Sequence, residues 1–301
     1  MTKTTLFEGS RNKLSSSAAA VLLAVGVLGS SQALAAVPTT GITVTKHNLG
    51  STGNLSGQNK TNTTGEICVF CHTPHGADTT ASVPLWNRTL GTPADYTTYN
   101  SLGTSSLDGA TAPVGSVSLA CLSCHDGTQA MNTMMNAPGS GNTQLATSWT
   151  GSTVGANTGK LVSTAITHIG QDLRNDHPIG IQYAGGMTTT SGSLAYTKAD
   201  IASSAFKDQD FNPLKYANLN GQPVWWVETG SNTTRQKTDM MLYTRTDADS
   251  VNKDKSLNTG ALAGEQAFVE CASCHDPHSQ NPTFLRIENT GSAVCLACHI
   301  K

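Results

Sequence analysis

Four copies of one five-residue pattern take up every cysteine in this 301-residue chain. They are Cys68-Val-Phe-Cys71-His72, Cys121-Leu-Ser-Cys124-His125, Cys271-Ala-Ser-Cys274-His275 and Cys295-Leu-Ala-Cys298-His299. C-x-x-C-H is the attachment signal of c-type haem. One helical turn presents two thiols to the haem vinyl groups and then an imidazole to the iron, as its proximal ligand. Two other chemistries share the C-x-x-C part: zinc sites of four thiolates and redox-active dithiols. Neither needs a histidine after each second cysteine. With only nine histidines in the chain, chance does not place one in all four positions. The pattern predicts four covalent haem c groups, carried by Cys68, Cys71, Cys121, Cys124, Cys271, Cys274, Cys295 and Cys298. Their irons are met by His72, His125, His275 and His299.

The remaining histidines are the candidates for the sixth iron ligand: His47, His75, His168, His177 and His278. Five candidates for four irons permit bis-His ligation throughout, with one left over. Methionine is the other common axial ligand and raises the potential. Met131, Met134, Met135, Met187, Met240 and Met241 are available, but methionine more often fills core gaps. Two spacings are informative. His75 and His278 each stand three residues after a proximal histidine, in His72-Thr-Pro74-His75 and His275-Asp-Pro277-His278. Residues three apart on a helix have Cβ atoms about 5–6 Å apart. Two imidazoles on opposite faces of one iron need roughly 10 Å between Cβ atoms, given metal–nitrogen bonds near 2 Å. Each therefore serves a haem other than its neighbour's, and the intervening proline re-aims the chain. His177 precedes Pro178 and is held extended, a third candidate. His47 can fold back on a neighbouring haem, and His168 is the expected spare.

An address signal opens the chain. Lys3, Arg11 and Lys13 precede an apolar run from Ala18 to Leu28, followed by Ala33-Leu34-Ala35. That order describes a secretory signal peptide over residues 1–35, leaving a single tetrahaem domain over 36–301. The run is too short to span a bilayer, which needs about 20 residues. We expect export, with the periplasm in transit and the extracellular space or cell surface as destination. Thr, Ser and Gly supply 100 of the 301 residues, and only 5% are aromatic. Such a chain has few large side chains for an ordinary core, so haem is expected to supply the interior. A net charge of −2 argues against nucleic acid as a partner and allows copies of the chain to approach one another.

The first cysteines of the motifs fall at 68, 121, 271 and 295, so the third and fourth haems must be neighbours. The long interval between the second and third motifs reads as loop over residues 139–160 and 187–192. Strands are expected at Pro223–Val227 and Met241–Arg245, and helices at Ala261–His275 and Lys198–Lys207. The expected fold is a multihaem cytochrome c of low secondary-structure content, mostly loops with short helices and a few short strands around a stacked haem core. The fourth motif ends two residues before the last residue, so its sixth ligand comes from within the chain or from another copy.

His47-Asn-Leu-Gly50, Cys68–His75, Pro84-Leu-Trp86-Asn-Arg88, Cys121–Gly127 and Asn175-Asp-His177-Pro-Ile-Gly180 resemble exported multihaem c-type cytochromes. More narrowly, motif order and spacing are similar to tetrahaem extracellular cytochrome filament proteins, the OmcE-like group of metal-reducing bacteria. The resemblance implies bis-His haems stacked in alternating parallel and T-shaped pairs along a polymer. It also implies head-to-tail copies in which one haem takes a histidine from the next copy, His75 by correspondence or else His47. Electron conduction in such a filament, during respiratory metal reduction with redox partners at the cell surface, is the expected function. A monomeric periplasmic or outer-surface tetrahaem electron shuttle is the alternative. A multihaem reductase, which needs an open or lysine-ligated iron, fits the histidine count less well, so we expect an electron-transfer protein and no enzyme.

Overall fold

Met240 and Leu242 are buried and Met241 and Tyr243 half-buried along Met240–Arg245, which builds one wall of an antiparallel sheet. The computed structural model describes residues 40–301 except 81, 105, 106, 108, 140–148, 177, 188–198, 220, 221, 232, 233 and 246–265. The expected signal peptide lies outside the described residues. So does most of the 187–192 loop.

Among the described residues the strands are β1 (Lys60–Thr61), β2 (Trp149–Thr150), β3 (Ile181–Gln182), β4 (Ala199–Ile201), β5 (Leu214–Leu219), β6 (Gln222–Val227), β7 (Met240–Arg245) and β8 (Gln266–Val269). The α-helices are α1 (Ser116–His125), α2 (Cys271–Cys274) and α3 (Ala293–Cys298). Each helix ends on or beside a C-x-x-C-H motif. Strands β1 and β2 pair alone, and the other six form one sheet in the order β3-β8-β7-β6-β5-β4. All its pairings are antiparallel, with Trp225 opposite Leu242 and Tyr243 opposite Phe268. Residues Thr39–Lys301 form one compact unit. No helix among the described residues is long and apolar enough to cross a membrane.

The strands expected at Pro223–Val227 and Met241–Arg245 lie within β6 and β7, but the sheet is larger than a few short strands. Its core gathers Trp225, Tyr216, Leu214, Phe206, Val227, Met240 and Leu242. Burying several aromatic rings together, each worth about 2–3 kcal/mol when fully withdrawn from water, gives this chain an ordinary hydrophobic core beside any haem. The Trp225 indole N–H donates to Thr244 Oγ1 across the sheet at 3.0 Å.

Two expected helices are corrected. Over Lys198–Lys207 the chain forms β4 and then a single 3-10 turn at Ser203–Ala205. Pairing of Ala199–Ile201 with β5 and burial of Phe206 against Tyr183 outweigh a weak helical pattern. Of the helix expected at Ala261–His275, residues 261–265 lie outside the described residues. Residues 266–269 are β8, wedged between β3 and β7, and only Cys271–Cys274 is helical. The apolar residues Ala267 and Phe268 serve the sheet there, so helical periodicity misreads them. The loop expected at 139–160 holds β2, and Val154 bridges Leu161 across a turn. Trp149 and Val154 pack with Leu49, Phe70, Met131 and Leu161 in a second cluster beneath the first motif.

Candidate functional site

Three of the four motifs are docked by one backbone device. After the first motif, Thr73 N–H donates to Leu85 O and Asn87 N–H donates to Cys71 O, both at 2.8 Å. After the third, Asp276 N–H donates to Phe284 O and Arg286 N–H to Cys274 O, again both at 2.8 Å. At the fourth, Ile300 N–H donates to Asp210 O at 2.8 Å and Asn212 N–H to Cys298 O at 2.7 Å. In each case a short extended clip satisfies a carbonyl at the C-terminal end of the motif turn, which has no partner within a helix. The clips pair His72 with Trp86, His275 with Leu285 and His299 with Phe211. For the first and third motifs the clip follows the motif. For the fourth it precedes the motif and leads straight into β5, so the sheet anchors the end of the chain. The Asn212 side chain adds bonds to Leu296 O and Ala297 O, both 3.0 Å.

Backbone carbonyls also aim three of the imidazoles, within the clip at the first and third motifs and from Thr167 at the second. His72 Nδ1 lies 2.8 Å from Pro84 O, His125 Nδ1 2.8 Å from Thr167 O and His275 Nδ1 2.8 Å from Thr283 O. A carbonyl only accepts, so each Nδ1 carries the proton and each Nε2 keeps a bare lone pair. That tautomer is what an iron ligand requires, and a hydrogen bond on the far nitrogen is the usual way of fixing it. The residue following two of the accepting carbonyls is left-handed: Leu85 at φ +56° and Phe284 at φ +59°. This conformation is costly for a bulky side chain, and here it turns the carbonyl toward the ring.

The sixth-ligand candidates divide into four groups. His47 Nδ1 is 3.3 Å from Pro277 O, and its ring stacks on Phe284 at 4.1 Å. Its backbone is held by Gln58, whose amide donates to Thr45 O and Asn48 O. The His47 ring centre lies 6.2 Å from that of His125, with the planes crossed at 69°. Burial, then the neighbouring His125, pushes His47 down to about 4, and burial also lowers His125. His278 Nδ1 is 3.3 Å from Asp276 Oδ1, and its ring centre lies 6.3 Å from that of His72 at an interplanar angle of 12°. His75 is exposed, and among the described residues its ring makes no hydrogen bond; its carbonyl accepts from Thr73 and Asn136. His168 packs over Gly127, with its main chain two residues from the Ile166 side chain. His177 lies outside the described residues.

Successive motifs lie near one another. The Cys71 thiol feels Cys124 and, through burial first, is pushed up to about 12. Cys121 and Cys271 are hydrogen-bonded, which holds Cys121 protonated. Cys274 and Cys298 share the core cluster of the sheet, and burial followed by Cys274 pushes Cys298 up to about 12. None of the eight cysteines is in a disulfide. Among the described residues no three His, Cys, Asp or Glu side chains converge.

Two buried polar groups at the motifs escaped the sequence reading. Arg88 is fully buried and donates to Ser123 Oγ, Ser123 O, Ala130 O and Met131 O, tying the first clip to the end of α1. Glu270, immediately before Cys271, accepts from Ser118 Oγ at 2.5 Å and from Arg245 Nη1 at 2.8 Å. Ser118 Oγ in turn accepts from Cys271 N–H at 3.0 Å. Adjacency to the third motif was the only sequence signal for Glu270, and Arg88 stood out only as the end of the Pro84–Arg88 stretch.

These features fit a haem at each motif. At the first three motifs the thiols precede a tautomer-fixed imidazole, and large apolar side chains stand in solvent beside the histidines or their carbonyl supports. Ile166 is 98% exposed next to Thr167, Leu85 52% next to Pro84, and Ile300 48% next to His299. A cavity of about 520 Å³ is lined by Cys295, Leu296 and His299. Residues 264–301 match a family described as the doubled CXXCH motif, which spans the third and fourth motifs. No curated protein matches the chain. Motif and match together indicate a multihaem c-type cytochrome that binds haem c covalently and transfers electrons.

Proposed function

We propose that the chain carries four bis-His haem c groups and conducts electrons as the subunit of an extracellular filament. The observation that carries this reading is the unbroken series of neighbouring thiols, Cys71 to Cys124, Cys121 to Cys271 and Cys274 to Cys298. When bound, each haem supplies a one-electron centre whose potential bis-His ligation keeps low. The protein's own part is to hold the four attachment points in sequence order, fix the Nε2 lone pairs, and exclude water with the clips and the sheet.

The filament part rests on the two ends of that series. His75 is exposed after the first motif, with no ring partner among the described residues, while His299 of the fourth lies among exposed Leu296 and Ile300. A histidine donor at one end and an apolar-rimmed motif at the other suit a head-to-tail contact, which propagates as a fibre when it does not close. The resemblance to filament cytochromes and the small net charge agree with it. Export through the signal peptide, and redox partners at the cell surface, belong to the same proposal. Electron microscopy of the secreted protein is the test. The proposal expects fibres, and His75→Ala is expected to abolish them and to leave one haem per subunit short of a ligand. Monodisperse particles at high concentration, with an unchanged His75→Ala spectrum, would favour the monomeric shuttle.

A further inference from the structure

The two close imidazole pairs say more than that the irons are bis-His. Two imidazoles bound through nitrogen on opposite sides of one metal, with bonds near 2 Å, place their ring centres about 6 Å apart. His72 and His278 stand at 6.3 Å, and His47 and His125 at 6.2 Å. In three of these four rings Nδ1 is turned to a backbone carbonyl, and in His278 it faces the Asp276 carboxylate. In each ring the partner at Nδ1 leaves Nε2 as the nitrogen open to a metal. Neither pair is bridged by a hydrogen bond, and ring centres beyond 6 Å with planes nearly parallel leave His72 and His278 little direct contact. Packing between the rings does not explain the spacing. A metal between them does.

We infer that His278 is the sixth ligand of the iron served by His72, and His47 the sixth ligand of the iron served by His125, with the axial rings near-parallel at the first and crossed at the second. This deepens the haem reading above and rests on it. The supports are reciprocal: the segment after the third motif supplies Pro277 O and the Phe284 ring to His47, and supplies His278 itself to the first site. One segment therefore locks the second haem to the first and to the third. The assignment also removes His47 from the histidines free to reach another copy, and leaves His75 for that role.

Ring orientation has a spectroscopic signature of its own. Near-parallel axial imidazoles lift the degeneracy of the low-spin ferric d orbitals and give a rhombic electron paramagnetic resonance signal. Crossed imidazoles leave it nearly intact and give one highly anisotropic feature. The fully oxidised full-length protein is expected to show both. His278→Gly is expected to remove one haem's intensity from the rhombic signal and add one high-spin haem, which exogenous imidazole returns to low spin. His47→Gly is expected to do the same to the anisotropic feature. Deleting the first haem with Cys68→Ala and Cys71→Ala should remove the same one haem's intensity from the rhombic signal, and His278→Gly added to that background should produce no high-spin signal. The pairing is overturned if His278→Gly draws on the anisotropic feature, leaves both signals unchanged, or still yields a high-spin haem in the first-haem deletion. Haem content by intact mass separates the two levels. A purified chain without haem sinks the haem reading, whereas a four-haem chain with the wrong signal changes sinks the pairing alone.

Discussion

Glu270→Gln should change how stability depends on pH, in a direction the burial of this carboxyl fixes. Glu270 is enclosed between α1, β7 and α2, with Arg245 Nη1 at 2.8 Å. Withdrawal from water outweighs the attraction of Arg245, and the carboxyl is pushed up from 4.5 to about 7. That balance is common for buried ion pairs, where desolvation exceeds the Coulombic gain. An acid whose folded pKa is raised favours folding while it is protonated. Its contribution is complete below about 4.5, is lost as pH rises through about 7, and stays lost above. At about 1.4 kcal/mol per unit, the loss is on the order of 3 kcal/mol. Glutamine keeps an acceptor for Arg245 and does not titrate. Guanidinium unfolding of both proteins, followed by circular dichroism from pH 4.5 to about pH 8, should show wild type losing roughly 3 kcal/mol relative to the variant across that window. Parallel curves would mean that Glu270 does not titrate there. A wild type that gains on the variant as pH rises would mean that Arg245 dominates, and the argument fails.

Arg88→Met should destabilise by about 3 kcal/mol or more, because it strands the Ala130, Met131 and Ser123 carbonyls in a dry interior; a loss below about 1 kcal/mol in the unfolding midpoint would contradict this. Arg88→Lys should rescue it poorly, since one ammonium cannot span the same four acceptors. Gly127→Ala meets two obstacles: φ is +72°, and the new Cβ would lie 2.2 Å from His168 Nε2. Left-handed backbone alone costs roughly 1–2 kcal/mol. His168→Ala in the same chain should recover the steric part only, a coupling that a double-mutant cycle measures, and strict additivity would show that the two residues do not collide.

The chemistry of this chain was legible because covalent haem attachment is a local requirement. Two thiols and a histidine must fall within one turn, so His72, His125, His275 and His299 stand out in the sequence. The spacing of His75 and His278 likewise argued against their neighbours' irons, and the His278 ring lies 6.3 Å from that of His72. What stayed hidden depends on distant parts of the chain. The Asp210–Asn212 clip supports the fourth motif from far upstream, and no pattern around Cys295 announces it. Glu270 reads as an unremarkable acid until β7 brings Arg245 and α1 brings Ser118 to it. The sheet was under-read for a related reason. Residues Ala199–Ile201 and Gln266–Val269 are strands because of what they pair with, and their own periodicity argues weakly for helix. Poverty in aromatic residues also misled, since Tyr183, Phe206, Tyr216 and Trp225 gather in one core.

The central claim is covalent haem at all four motifs, and intact mass spectrometry of the purified mature protein tests it most directly. Four haems should add roughly 2.5 kDa to the polypeptide, at one haem per C-x-x-C-H. A mass equal to the bare chain, or an increment short of four haems in fully matured protein, would contradict it.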